Sequence, residues 1–391
     1  MPEQVFLDQL ERDGFCSTTD IENDYSKSFT VQNDRLDLLS NDDLKGKIRE
    51  ISQNFAISSE SIYSIYYGLI MGNVILEGPP GTGKTTLAKV ISEQLFNVRL
   101  VESTANIEWT VYDLVGRKTL EIVEGKEQIV PENGHITKSI IECCHQISRH
   151  EENRLEPQAE WLLIDEINRC KIDRAFGEFF TVLGSTSNQS ISLSHQYKGN
   201  QKLYIPKKFR IIGTMNSVDK SYVNSFSQAF ARRFHFVAID IPKTEEMLAR
   251  ERSITLDLAI KEVLDLTSIN KQILDKKIAE VGVSSALDKI DSIIHLLRFG
   301  DGNNSPAILS VGTAQIIDIK KAFLLKLVLD SDTEILPTIV WAISTKLLAQ
   351  LDSTIISEEA QLAFINAIPN ELKGIKDDVQ RIWGFYEGTE I

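Results

Sequence analysis

The chain has 391 residues, of which 56 are acidic and 42 are basic, so its formal net charge is −14. Hydrophobic residues make up 42% and charged residues 25%, which is typical of a globular protein and excludes a largely disordered or fibrous chain. The length exceeds what one small hydrophobic core supports, so we expect two or three domains. The negative charge argues against sequence-blind nucleic-acid binding by the whole surface, although it leaves room for a local basic groove.

The cysteines and the N-terminal segment indicate the cellular compartment of the protein. Cys16, Cys143, Cys144 and Cys170 show no CxxC spacing, which predicts neither a zinc site nor a disulfide framework. We therefore expect a reducing environment and predict a cytoplasmic location. The N-terminal segment has no basic stretch followed by an apolar one, so no secretory signal is expected. No apolar run approaches the ~18 residues of a membrane helix, so no membrane partner is predicted.

The predicted elements begin with an acidic N-terminal arm, residues 1–57, which includes short helices at 2–13 and 42–54. From about residue 73 to 241, short apolar strands alternate with helices, which is typical of a parallel α/β sheet with helices on both faces. The strands are predicted at 73–77, 98–102, 161–165, 209–214 and 235–240, and the helices at 62–71, 84–95, 137–149, 172–183 and 224–232.

Two stretches interrupt this alternation, and a different pattern follows it. Residues 118–130 alternate between apolar and polar on either side of Glu124 and Gly125, which predicts a β-hairpin, whereas the polar stretch 184–200 predicts a loop. After Pro242 the pattern is helical, with helices predicted at 244–252, 256–265, 271–280, 286–299, 312–329, 334–351 and 357–367. We therefore predict an arm at 1–57, an α/β core at 58–241 and a smaller helical domain at 242–391.

The segment Gly78-Pro-Pro-Gly-Thr-Gly-Lys84-Thr85 fits the pattern G-x-x-x-x-G-K-[ST] and lies between a predicted strand and a predicted helix. Glycines let the backbone N–H groups of such a loop surround phosphates, and the positive end of the following helix faces them. Lys84 can reach the β- and γ-phosphates, and the Thr85 hydroxyl can ligate Mg²⁺. The predicted nucleotide site consists of Gly78, Pro79, Pro80, Gly81, Thr82, Gly83, Lys84, Thr85 and Thr86.

Two carboxylates, Asp165 and Glu166, follow the apolar run that begins at Trp161. They therefore lie at the carboxyl end of a predicted buried strand, the edge at which open α/β sheets bind ligands. Asp165 is predicted to hold Mg²⁺ through water. Glu166 is predicted to orient and activate the attacking water.

These motifs resemble those of the AAA+ nucleotide hydrolases. Asp165-Glu-Ile-Asn-Arg169 is similar to the DEINR signature of the MoxR- and McrB-type proteins in the dynein-related branch. The segments 176–180 and 212–221 resemble the McrB type, although Ser217, Val218 and Lys220 depart from its MNTADRS pattern. The resemblance covers about 73–241. It implies an α/β AAA+ P-loop core with a five-stranded parallel sheet and a smaller helical lid, with Mg²⁺ and ATP as cofactors and GTP as the alternative nucleotide.

The same resemblance implies roles for four further residues. Asn216 matches the sensor-1 residue, which hydrogen-bonds the γ-phosphate or the attacking water, and Asp219 matches a residue that orients that water or a neighbouring basic group. A role in a turn is the alternative for both. Arg232 and Arg233 match the arginine that reaches the nucleotide of the adjacent subunit, with Arg233 slightly favoured. Two arginines at a helix end also suit the helix dipole without any catalytic role.

One expected residue is missing from the lid. The family has a sensor-2 arginine where this chain has Ser310–Gln315, which contains no arginine. Stabilisation of the nucleotide by the lid is therefore either absent or supplied by Lys320 or Lys321. The hairpin at 118–130 resembles the helix-2 insertion of this branch, which points toward a central pore, and an ordinary surface hairpin is the alternative.

The implied function is a ring-forming, hexameric nucleoside triphosphatase that couples hydrolysis to action on a separate partner protein. The first candidate is a McrB-like motor subunit that works with a nuclease in defence against foreign DNA and engages DNA only through that partner. The segment 215–221 favours this candidate, whereas the acidic charge and the lack of room for a DNA-binding domain before residue 58 weaken it. The alternative is a MoxR-like remodeller of a protein complex. A non-hydrolysing, nucleotide-gated scaffold is the third candidate, and Lys84, Asp165 and Glu166 argue against it.

Overall fold

The computed structural model describes residues 35–385, except 124–125, 178, 180–182, 184–188, 193–201, 218–226, 303–304, 331–333 and 354–355. These residues fold into two compact units. The α/β unit contains Ser58–Gly78 and Lys84–Ile239 together with the residues before Gln53, and the helical unit contains Gln53–Ile57, Pro79–Gly83 and the residues from Asp240 onwards.

Before Asp240, helices and strands alternate as the sequence predicts. In chain order they are α1 (Asn41–Phe55), α2 (Ser59–Met71), β1 (Asn73–Gly78), α3 (Lys84–Phe96), β2 (Arg99–Thr104), α4 (Val111–Leu114), β3 (Gly116–Val123), β4 (Lys126–Asn133), α5 (His135–Glu152), β5 (Glu160–Asp165), α6 (Ile172–Phe176), β6 (Gln189–Ser192), β7 (Lys202–Ile205), β8 (Ile211–Asn216), α7 (Gln228–Ala231) and β9 (Phe234–Ala238). The helix predicted at 2–13 lies outside the described residues.

Five strands form one parallel sheet in the order β2-β5-β8-β1-β9, which confirms the predicted five-stranded parallel sheet. Strand β8 lies between β5 and β1, so that Ile212 pairs with Leu163 on one side and with Val74 on the other. Strands β1, β5 and β8 are buried along almost their whole length because both faces of the sheet are covered, and this explains their continuous apolar sequences. All the carboxyl ends lie at one edge, so residues that end β1, β5 and β8 can meet there.

Two antiparallel hairpins are separate from this sheet. Strands β3 and β4 pair at the predicted place, and the predicted turn residues, Glu124 and Gly125, lie outside the described residues. Strands β6 and β7 form the second hairpin, so the prediction of a loop over 184–200 was wrong at Gln189–Ser192. The polar composition suggested a loop there. A short polar segment can nevertheless form a β-strand when its backbone is hydrogen-bonded to a neighbouring strand, here β7.

From Asp240 onwards the described residues form helices, which confirms the predicted helical region. They are α8 (Glu245–Leu266), α9 (Lys271–Ile278), α10 (Val281–Phe299), α11 (Thr313–Leu329), α12 (Ile335–Lys346), α13 (Glu358–Ala367) and α14 (Lys373–Trp383), with short 3-10 helices at Leu348–Ser353 and Asn370–Leu372. Within the part of the chain that the structure describes, no helix is both long and apolar enough to cross a membrane.

The helical unit differs from the prediction in several details. The helix predicted at 334–351 ends at Lys346, and a 3-10 helix follows at Leu348–Ser353. The helices predicted at 244–252 and 256–265 are one helix, α8, in which the Thr255 hydroxyl donates to the carbonyl of Glu251 one turn earlier, at 2.7 Å. Helix α14 was not predicted, although Ile375, Val379 and Ile382 recur at helical spacing in its sequence. It buries Ile375 and Val379, which share one face at a spacing of four residues.

A buried ion pair joins α8 to α10 inside the helical unit. Glu251 and Arg298 are 2% and 5% exposed, and their side chains make two hydrogen bonds, of 2.6 and 3.0 Å. The Thr313 hydroxyl, at the start of α11, donates to the same carboxylate at 2.6 Å. Because breaking such a pair would leave a charge buried without its partner, these contacts hold the start of α11 firmly against α8 and α10.

Candidate nucleotide site

The phosphate loop follows β1 and leads into α3. Lys84, the first residue of α3, is 7% exposed, and its Nζ donates to the carbonyl oxygen of Gly78 at 3.0 Å and to Asn216 Oδ1 at 3.0 Å. Asn216 ends β8, the strand beside β1, so the fold brings together two predicted site residues that lie 132 positions apart. Gly81 and Gly83 have φ values of 75° and 77°, a region in which a side chain would be strained, and this explains the glycines there.

The loop is divided between the two units. Gly78 and Lys84–Thr86 belong to the α/β unit, whereas Pro79–Gly83 belongs to the helical unit. Within the second group, the Thr82 hydroxyl donates to the carbonyl oxygen of Pro79 at 3.0 Å, which closes the loop on itself. Different parts of the chain therefore hold the middle of the loop and its two ends.

Thr85 and Asp165 form the oxygen pair that the sequence assigned to Mg²⁺. The Thr85 hydroxyl donates to Asp165 Oδ1 at 2.7 Å, and the Thr214 hydroxyl donates to the same oxygen at 2.5 Å. Thr214 was not predicted as a site residue. The available signal was its position in β8, two residues before Asn216 and hence on the same face of the strand.

This donor set fits a magnesium ion that arrives with a nucleotide. Among the described residues, no group of three or more His, Cys, Asp or Glu side chains is placed to hold a metal ion, so these residues do not supply a complete set of ligands. Mg²⁺ commonly binds through one or two carboxylates and completes its octahedron with water and phosphate oxygens. Asp165 with the Thr85 hydroxyl meets that requirement.

Glu166 lies one residue beyond β5, with a left-handed backbone (φ 53°, ψ 45°). Its N–H donates to Thr214 Oγ1 at 3.0 Å, which helps to hold a conformation that costs on the order of 1–3 kcal/mol in a residue other than glycine. Its Oε1 accepts a hydrogen bond from Asn216 Nδ2 at 3.4 Å, and its Oε2 is ion-paired with Arg169. The side chain is 24% exposed, so water can reach the carboxylate.

Burial sets the charge state of Lys84. Desolvation lowers the pKa of its ammonium group from 10.5 to about 8, although the nearby Asp165 and Glu166 carboxylates act to raise it. The group is therefore charged at neutral pH but loses its proton more readily than a surface lysine does. Phosphate oxygens at the same place would favour the charged form.

The remaining predicted residues lie in different settings. Arg232 and Arg233 follow α7 and precede the edge strand β9, where Arg232 is exposed and Arg233 is half-buried. Thr86 is exposed on α3. Asp219 lies outside the described residues, so its role stays a prediction, as does that of the two arginines.

Both lysines considered as substitutes for the missing lid arginine are paired within the helical unit. Lys320 is 1% exposed, and its Nζ lies 2.9 Å from Asp291 Oδ1. Lys321 donates to Asp318 and to Glu262, each at 2.6 Å, and these hydrogen bonds raise its pKa. Since both amino groups already neutralise carboxylates that pack the helical unit, neither lysine is suited to stabilise a nucleotide.

Residues 73–234 match the family model of the AAA domain, dynein-related subfamily. Together with the phosphate loop after β1 and the five-stranded parallel sheet, this match assigns to residues 73–234 the α/β fold of an AAA domain with a P-loop, and the described residues that follow are helical. The fold class implied by the sequence resemblance is thereby confirmed. The finer resemblance to the McrB type does not follow from this match.

A comparison with solved structures found matches that are distant in sequence and have TM-scores below 0.5. NtrX from Brucella abortus in complex with ATP is 14% identical, with a TM-score of 0.45, over 94% of this chain and 65% of that chain. A putative ATPase from Cytophaga hutchinsonii is 16% identical (TM-score 0.35, 89% and 96% covered), and a RuvB mutant from Thermotoga maritima is 14% identical (TM-score 0.39, 84% and 89% covered). The chain thus spans 65% of the NtrX length. A comparison with curated protein sequences found no match.

Proposed function

We propose that this chain is an Mg²⁺-dependent nucleoside triphosphatase, with ATP as the favoured substrate and GTP as the alternative. The observation that carries the proposal is one continuous set of hydrogen bonds. It joins Lys84 to Asn216, Asn216 to Glu166, and Thr85 to Asp165, at the carboxyl edge of one sheet. The Thr214 hydroxyl connects the two parts, because it donates to Asp165 and accepts from the N–H of Glu166. These contacts support the assignment of a phosphate-binding loop, a magnesium pair and a water activator that would act on one nucleotide.

Each group has a separate task in the proposed reaction. Lys84, whose Nζ now contacts Gly78 and Asn216, would turn to the β- and γ-phosphates. Mg²⁺, held by Thr85 and through water by Asp165, would neutralise charge on the phosphate oxygens. Glu166 would accept the proton of the attacking water, which Asn216 would help to place. Arg169 is ion-paired with Oε2 of Glu166, and the water would contact Oε1, which also accepts the hydrogen bond from Asn216.

Nucleotide affinity is expected to fall as the pH rises above about 8. Below that pH the Lys84 ammonium is charged and attracts phosphate, whereas above it the free amine must take up a proton before it can do so. Affinity should therefore fall about tenfold for each further pH unit, until the higher pKa of the bound state is reached. Calorimetric titration with Mg·ATP at pH 7 and pH 9, in two buffers of different ionisation enthalpy, measures both the affinity and the proton uptake.

The Lys84→Ala variant serves as the control for this measurement, because it lacks the titrating group. Its weak residual binding should be independent of pH and should take up no proton. Equal affinity of the wild type at pH 7 and pH 9, without proton uptake, would show that the charge of Lys84 does not govern binding.

The finer proposal is that the chain assembles into a hexameric ring and acts as a McrB-like motor for a separate nuclease, with DNA engaged only through that partner. It is supported by the DEINR segment, by the likeness of 212–221 to the McrB pattern, and by exposed Arg232, which a neighbouring subunit could meet. A MoxR-like remodeller of a protein complex is the alternative, because the same AAA domain subfamily suits it and the chain is acidic. A non-hydrolysing scaffold is the third candidate, which measurable turnover would exclude.

Assembly and partner are tested together. Light scattering with a non-hydrolysable ATP analogue is expected to give a mass near six times the 44.1 kDa of one chain. Affinity purification of the chain, co-expressed with the products of its neighbouring genes, should retain a nuclease. A fully active monomer at micromolar concentration would contradict the ring. A retained protein complex without nuclease activity would favour the remodeller.

A further inference from the structure

The middle of the phosphate loop is held by the start of α11. Ala314, the second residue of that helix, donates its backbone N–H to the carbonyl oxygen of Gly81 at 2.9 Å. Gly312, which caps the helix, lies against the same part of the loop. A Cβ built on Gly312 would lie 2.2 Å from the carbonyl oxygen of Pro80 and 2.5 Å from the carbonyl carbon of Gly81. All of these atoms belong to the helical unit.

The backbone conformation of Gly312 does not require glycine. Its φ of −81° and ψ of 161° lie in the extended region, which every residue type adopts without strain. The close approach to Pro80 and Gly81 is therefore the feature that explains glycine at this position. Any side chain at 312 would force either the loop or the start of α11 to move.

The hydrogen bond from Ala314 also fixes the orientation of one peptide group in the loop. In a trans peptide, the carbonyl of one residue and the N–H of the next point in opposite directions. Because the Gly81 carbonyl is turned toward Ala314, the N–H of Thr82 is turned away from α11. Loops of this pattern bind phosphate through such N–H groups. The N–H of Ala314 has no acceptor within its own helix, so α11 loses no internal hydrogen bond.

The start of α11 is itself firmly anchored. The Gly312 N–H donates to Gln315 Oε1 at 2.6 Å, and Gln315 Nε2 donates to Gln350 Oε1 at 2.6 Å. Thr313 donates to the buried carboxylate of Glu251. The element that holds the loop is thus fixed within the helical unit by several side chains.

We propose that Gly312 is a positioning residue for nucleotide binding, because it lets the start of α11 reach Pro80 and Gly81 and hold the loop ready for phosphates. This inference rests on the proposed function. It gives Ser310–Gln315 a role in binding although that stretch has no arginine. Gly312 acts through the loop and need not touch the nucleotide.

The Gly312→Ala variant tests the inference. It should weaken Mg·ATP binding about tenfold, which is the effect of roughly one lost hydrogen bond, while the turnover number at saturating nucleotide stays within about twofold of wild type. Turnover is preserved because Glu166 and Asn216 are untouched. Gln315→Ala, which frees the Gly312 N–H without adding bulk, should weaken binding in the same direction by a smaller factor. Gly46→Ala is the matched control, because an added Cβ on α1 meets nothing within 4 Å.

The outcomes separate the inference from the proposed function. If the wild type and Gly46→Ala bind neither Mg·ATP nor Mg·GTP, the proposed function fails. If both bind, and Gly312→Ala and Gln315→Ala bind as tightly as wild type, the positioning role is overturned. It is also overturned if Gly312→Ala loses turnover at unchanged affinity, or if Gly312→Ala does not fold while Gln315→Ala has wild-type affinity.

Discussion

The Glu166→Gln variant is expected to bind Mg·ATP as tightly as wild type and to hydrolyse it about 10²-fold more slowly or worse. Glutamine preserves the size of the side chain, but its amide cannot accept a proton from the attacking water. Binding persists because the loop, Lys84 and the pair Thr85–Asp165 are unchanged. Calorimetric titration gives the affinity, and phosphate release under saturating nucleotide gives the rate.

The Lys84→Ala variant provides the contrast, since it should bind Mg·ATP only weakly once the ammonium group of Lys84 is removed. The two variants separate phosphate binding from water activation. A Glu166→Gln variant that turns over at the wild-type rate would remove the assignment of Glu166 as the water activator and leave Lys84 unaffected.

Mixing two inactive variants should restore activity if an arginine acts across a subunit boundary. One variant carries Arg232→Ala with Arg233→Ala, and the other carries Glu166→Gln. In a mixed ring, some interfaces combine an intact arginine pair from one subunit with an intact Glu166 from the next. Since such an arginine accelerates phosphoryl transfer on the order of 10³-fold, a few restored interfaces should dominate. The mixture should release phosphate faster than the sum of the two variants measured alone.

A mixture of Glu166→Gln with Lys84→Ala is the matched control, because both defects lie on the same side of the boundary and no interface regains a complete site. If subunit exchange occurs and the arginine mixture still gives only the sum, Arg232 and Arg233 act within their own subunit or serve structure alone. If the arginine mixture is more active than the sum, the same mixing experiment with each single arginine variant identifies which arginine acts across the boundary, the exposed Arg232 or the half-buried Arg233.

The sheet and the main site residues could be predicted because their signals are local. The strand that ends at Asp165 is buried on both faces and therefore reads as an apolar run, and the phosphate loop needs glycine at Gly81 and Gly83, where φ is positive. Once the strands were placed in a parallel sheet, their carboxyl ends had to meet. This brought Lys84 to Asn216.

The parts that could not be predicted depend on contacts between distant residues. Thr214 is an ordinary polar residue within a strand, and only the fold places its hydroxyl on Asp165. The glycine at 312 has an ordinary backbone conformation, so nothing near it in the sequence reveals its approach to Pro80. Similarly, β6 is polar, and it is a strand because β7 supplies its hydrogen-bond partners.

Steady-state phosphate release by the wild-type chain is the most direct measurement of whether this site hydrolyses nucleotide. With Mg·ATP or Mg·GTP, we predict release well above that of Lys84→Ala, and removal of Mg²⁺ with a chelator should abolish it, because Thr85 and Asp165 supply only part of the metal's ligands. A folded wild-type protein that releases no more phosphate than Lys84→Ala from either nucleotide, alone or with its co-purifying partner, would contradict the proposed activity.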